Sequence, residues 1–158
     1  MTLTPHSDFE VRFKASRPAE IVVATYLLNL GHTVTLPKRR MAKDFADRKE
    51  YADKGDVYAS GKRIEVKHKQ IDFDYGAWPF ETVTICAKAS FDAAHPRPDY
   101  YYLINRGMTV AALIDVRTTF PDWFVQKQTD TARGYDYDVY AVTPEYLAWR
   151  YIDFEERL

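Results

Sequence analysis

The stretch Gly55-Asp56-Val57-Tyr58-Ala59-Ser60-Gly61-Lys62-Arg63-Ile64-Glu65-Val66-Lys67-His68-Lys69 constrains this chain more than any other. Val57 and Ala59 alternate with Asp56, Tyr58 and Ser60. Ile64 and Val66 alternate with Arg63, Glu65, Lys67 and Lys69. Two short alternating segments around a glycine-containing break read as a β-hairpin, because side chains along a strand point to opposite faces with period two. If the loop is Gly61-Lys62, Asp56 lies opposite Lys67 and diagonal to Glu65; if it is Ser60-Gly61, Asp56 lies directly opposite Glu65. Either register puts Asp56, Glu65 and Lys67 on one face. Opposed Cβ atoms stand roughly 5 Å apart and diagonal ones roughly 7–8 Å. Two carboxylates at that spacing repel, and a hard divalent cation relieves the repulsion through oxygen ligands. The competing reading is a solvated hairpin in which Asp56 and Lys67 form a surface ion pair worth about 0–1 kcal/mol.

Upstream, Arg17–Gly31 reads as a helix, with Pro18 in its first turn and Gly31 at its C-terminal cap. Ile21, Ala24 and Leu28 form one apolar row; Val23, Leu27 and Leu30 form another. Glu20 lies beside the stripe expected to face a sheet, from where an acid could reach the Asp56–Glu65 pair. Glu also suits any first helical turn through the helix dipole.

Asp56, eight intervening residues and then Glu65-Val66-Lys67 resemble the D…(D/E)-x-K signature of the PD-(D/E)XK nuclease superfamily. Gly55-Asp56 departs from the commoner Pro-Asp start. By motif the resemblance covers Glu20 and residues 55–69; by organisation it covers roughly residues 17–116. It implies a restriction-endonuclease-like α/β core, a central mixed β-sheet flanked by helices. It also implies metal-dependent hydrolysis of DNA phosphodiester bonds by Glu20, Asp56, Glu65 and Lys67. Asp56, Glu65 and the main-chain carbonyl of Val66 would hold Mg2+ or Mn2+. Homing or restriction-type, junction-resolving and phage-encoded nucleases all remain open. The alternative is a non-catalytic nucleic-acid-binding protein of the same fold, in which the acids merely neutralise positive charge.

The net charge of −1 conceals an asymmetry. Residues 36–70 hold eleven Lys/Arg against six Asp/Glu, whereas residues 71–158 hold eight against fourteen. Positive charge therefore gathers around the motif, in Lys38-Arg39-Arg40, Lys62 and Lys69 among others, as phosphate binding requires. DNA, duplex or branched, is the expected partner. A homodimer or higher homo-oligomer is expected if both strands are cut.

The remaining readings set limits. A chain of 158 residues suits a single domain over 1–158. No apolar run approaches the roughly 20 residues of a membrane span. The start shows no secretory signal, and the single cysteine, Cys86, reads as core, so an intracellular, cytoplasmic setting is expected. Scattered glycines exclude a phosphate-cradling loop, and four separated histidines give no zinc spacing. His68, on the face opposite Lys67, reads as structural; so do Tyr58, Tyr75 and Trp78, although Tyr75 and Trp78 could stack on bases. Strands are expected at 32–36, 82–87, 100–104, 109–114 and 139–142. A short helix is expected at 88–94. A last helix should begin at Pro144, capped by Thr143 and carrying Tyr146, Leu147 and Trp149.

Overall fold

The computed structural model describes residues 5–37 and 56–153, with side chains for 16–37 and 56–153. The hairpin forms as its alternation dictates. Strand β2 (Val57–Ala59) turns into β3 (Lys62–His68) in antiparallel register, with Val57 opposite Ile64 and Ala59 opposite Lys62. The loop is therefore Ser60-Gly61, with φ of 48° and 79°, both in the left-handed region that the tightest hairpin turns require. Ser60 is held there by its amide bond to the Thr33 carbonyl (2.8 Å) and its hydroxyl contact with His32 (3.0 Å).

The hairpin sits inside a six-stranded mixed sheet ordered β1-β2-β3-β5-β6-β9. Strand β1 (Val34–Thr35) pairs with β2, and β5 (Tyr100–Ile104) runs parallel to β3; β6 (Val110–Asp115) and β9 (Ala148–Tyr151) add antiparallel. Helix α1 (Pro5–Asn29) covers one face through Ala19, Val23, Ala24 and Leu27, against Val57, Ile64, Val66, Tyr102 and Ile104. The other face carries Tyr101, Leu103, Ala112 and Ile114. It is covered by a three-stranded sheet, β4 (Val83–Ala87), β8 (Tyr135–Val142) and β7 (Phe124–Asp130), together with α2 (Lys88–Ala93). Because both faces are buried, β5 and β6 read as continuous apolar runs rather than alternating ones. A short helix, α3 (Val116–Thr119), follows β6, its first amides bonded to the Asp115 carboxylate.

Four expectations change. Helix α1 begins at Pro5, so Pro18 lies inside it, on its exposed side, rather than in its first turn. Its buried row is Ala19, Val23 and Leu27 with Ala24 beside it; Ile21, Leu28 and Leu30 face outward, about half exposed. The helix expected from Pro144 stops after one 3₁₀ turn, Pro144–Tyr146, where Thr143 makes no side-chain cap. Its remainder is β9, which completes the backbone pairing of β6 and sets Trp149 against Phe73 at 5.9 Å between ring centroids. Strand β7 was not anticipated. Its residues are exposed on both faces, so no apolar alternation marks it, and its register with β8 holds it instead. No helix among the described residues is long and apolar enough to cross a membrane.

Candidate functional site

Continuing the hairpin register by one residue places Asp56 across from Glu65, on the face away from α1. Both residues are buried, each at 8% exposure. The Asp56 carboxylate accepts the Val66 amide at 2.8 Å, which fixes it over the main chain between Glu65 and Lys67. Lys67 projects from the same face and is exposed. Beneath them lie Tyr101, which pairs with Glu65 across the parallel β3–β5 ladder, and Cys86. Burial, with Cys86 and Glu65 adding to it, pushes the Tyr101 phenol far above its ordinary range. Burial likewise pushes up the Cys86 thiol, on which Glu65 and Lys67 act from opposite signs. Both groups stay neutral at physiological pH and form an uncharged floor.

Arg63 is the residue that sequence reasoning did not assign. It is as deeply buried as the acids, at 6% exposure. Its Nε and Nη2 both donate to Glu65 Oε1, at 2.9 and 2.8 Å, and its Nη1 donates to the Pro96 carbonyl at 2.7 Å. Its own amide donates to Asp99 at 2.9 Å. The signal was present: Arg63 and Glu65 are two apart on one strand, hence on one face. A guanidinium offers a planar fork of donors that suits a buried carboxylate.

The other site residues scatter. Glu20 is buried on α1, on the opposite side of the sheet, where Arg17 donates to its Oε2 at 3.2 Å. Among the described residues no group of three His, Cys, Asp or Glu side chains comes together to hold a metal ion, so Glu20, Asp56 and Glu65 do not converge. Lys62 is exposed beside the turn. Lys38, Arg39 and Arg40 lie outside the described residues. His68 contacts the Arg106 carbonyl at 3.0 Å, and Tyr75 stacks on Tyr151 at 4.7 Å.

Lys69 continues the Lys67 face just beyond β3, its amide still bonded to the Ile104 carbonyl. It is half-buried, and burial together with the neighbouring Lys67 ammonium lowers its pKa to about 8. It lines a cleft of about 380 Å³ with Trp78, Phe80, Thr82, Thr84 and Gln128.

No family model matches the chain, and no curated protein or solved structure matches it either.

Proposed function

We propose that the chain is a metal-dependent endonuclease of restriction-endonuclease-like fold, hydrolysing DNA phosphodiester bonds at the Asp56–Glu65–Lys67 face. The observation that carries this reading is the juxtaposition of two buried carboxylates across one hairpin, with an exposed lysine two residues beyond the second. The order of the described elements is in keeping with it: a helix, three antiparallel strands, a strand of the second sheet, a short helix, then a strand parallel to the third. Asp56, Glu65 and the Val66 carbonyl would hold the ion, an all-oxygen set of the kind Mg2+ or Mn2+ prefers. Such an ion lowers the pKa of a bound water and neutralises charge on a phosphate. Lys67 would hold the scissile phosphate and stabilise the charge that develops on it. A double-strand break needs two such faces, hence a homodimer or a larger symmetric assembly.

One observation favours a second reading. Glu65 Oε1 already takes two N–H groups from Arg63. A non-catalytic nucleic-acid-binding protein of the same fold would use the pair in this way and be indifferent to divalent ions.

The deciding experiment follows cleavage of linear duplex, single-stranded, branched and supercoiled DNA with Mg2+ or Mn2+. A second arm measures the thermal shift with Mn2+. Asp56→Asn keeps an acceptor for the Val66 amide while removing the charge, so it should fold and lose both responses. Lys67→Ala should cut roughly 10²–10³-fold more slowly at saturating DNA. A parent protein that binds DNA yet neither cuts nor shifts with Mn2+ establishes the non-catalytic reading.

A further inference from the structure

The cleft beside Lys69 has features that neither the acids nor the core explain. A half-buried ammonium ordinarily carries a partner, since removing a charge from water is costly. Among the described residues no carboxylate pairs with Lys69, and the charge acting on it is the second ammonium of Lys67. Two adjacent cations, one of them desolvated, make an anion site. The same cleft has aromatic lining, from Trp78 and Phe80. Phe80, in the loop before β4, is 56% exposed. It is braced edge-on by Trp78 at 6.3 Å, whose indole is in turn fixed to the Thr82 carbonyl at 3.0 Å. Gln128 on β7 and the threonines Thr82 and Thr84 supply polar groups on the remaining sides. A cation, a braced and exposed ring, and amide and hydroxyl groups together match the three parts of a nucleotide: phosphate, base face and base edge.

We propose that this cleft is a subsite for one nucleotide of a single-stranded nucleic acid, its base laid on Phe80 and its phosphate on Lys69. The proposal rests on the nucleic-acid reading of the neighbouring face and specifies which substrates that face takes. In a duplex each base face is covered by its neighbours, so only an unpaired or splayed nucleotide can stack on a side chain. Lys69 follows Lys67 by two residues, just past the end of β3, about 7 Å at the rise of a strand. That is close to one nucleotide step from the phosphate that Lys67 would hold. A flap, fork or single-stranded end would therefore be engaged in preference to an uninterrupted duplex.

The test measures binding of a fluorescein-labelled decathymidylate to the full chain by anisotropy, at low salt and with chelator so that no cleavage occurs. Phe80→Ala should weaken binding roughly ten- to hundredfold and leave affinity for a blunt duplex unchanged. Its melting temperature should hold, because the ring is exposed. Lys69→Met should weaken binding, reduce the salt slope by about one and raise the melting temperature, since it removes an ammonium that burial disfavours. That rise is the readout a merely structural lysine would not produce. If the decathymidylate binds and neither variant changes it, the subsite is overturned while the nucleic-acid reading stands. If the parent binds duplex but not the decathymidylate, the subsite is overturned likewise. If neither binds, both fall together.

Discussion

Replacing Arg63 by Met tests whether Glu65 is held as a buried ion. Arg63 and Glu65 side chains are 7% and 11% exposed, and the guanidinium makes three hydrogen bonds of 2.7–2.9 Å, two to Glu65 and one to the Pro96 carbonyl. Removing one partner of such a buried pair costs about 3–5 kcal/mol. For a domain whose whole stability is of order 5–15 kcal/mol, that is a large share. With a urea slope of about 2 kcal/mol per molar, the unfolding midpoint should fall by about 2 M. Replacing both residues, Arg63→Met with Glu65→Met, exchanges the pair for apolar side chains of similar length. Such exchanges are often close to neutral, so the double variant should regain most of the loss. The cycle would then show a coupling of about 2–4 kcal/mol. Stripped of its cation, a carboxylate at this depth favours its neutral form. The deficit of Arg63→Met should therefore shrink as pH falls from 7 towards 5. The assay is urea unfolding at pH 7 and pH 5 on the parent, both single variants and the double. A loss below about 1 kcal/mol at pH 7 with no coupling is the range of exposed pairs; it would refute the buried pair and leave Glu65 open to a cation.

The same pair sets a limit on metal affinity, and removing Arg63 should enlarge the Mn2+-induced thermal shift, because it takes away the guanidinium that holds Glu65 Oε1; an unchanged shift would place the ion elsewhere. Burial beside Lys67 holds Lys69 near 8, against 10.5 in the unfolded chain, so below pH 8 the folded state carries the full penalty. Between about pH 8 and 10.5 the unfolded chain binds more protons than the folded one, so Lys69 makes stability rise with pH there. Affinity for single-stranded DNA should fall over the same rise, from about pH 8 upward, and Lys69→Met should flatten both curves. Asn105 is 2% exposed; it accepts the amides of Thr109 and Val110 and donates to the Phe73 carbonyl and the Thr109 hydroxyl. Asn105→Ala orphans several of these groups and should cost about 2–3 kcal/mol, read as a melting temperature lower by about 5–10 °C.

Local pattern sufficed where an alternating or an unbroken apolar run marks a strand. The period-two alternation of residues 56–69 placed Asp56, Glu65 and Lys67 on one face before any neighbour was known. The apolar runs at 100–104 and 109–114 likewise read as strands, and the structure buries them on both faces. Left-handed backbone at Ser60 chose between two turn registers that alternation alone allowed, and the contacts of Ser60 with His32 and Thr33 hold that choice. The C-terminal error has the same source. Leu147–Tyr151 is compatible with helix or strand, and the unpaired edge of β6, more than thirty residues earlier, decides for strand. Strand β7 left no apolar trace because its backbone partner β8, rather than a core, holds it.

The candidate site divides along this line too. Which residues share a strand face is a property of the chain itself, because pleating sets it residue by residue. Which of them meet is not. Arg63 is buried with Glu65 because the folded chain also brings it the Pro96 carbonyl, 33 residues away, and Asp99, 36 residues away. Glu20 stays apart from Asp56 and Glu65 because α1 packs on the other side of the sheet from them. A buried charge lasts only where every donor and acceptor around it finds a partner, and those partners come from strands and loops that only the tertiary structure brings together.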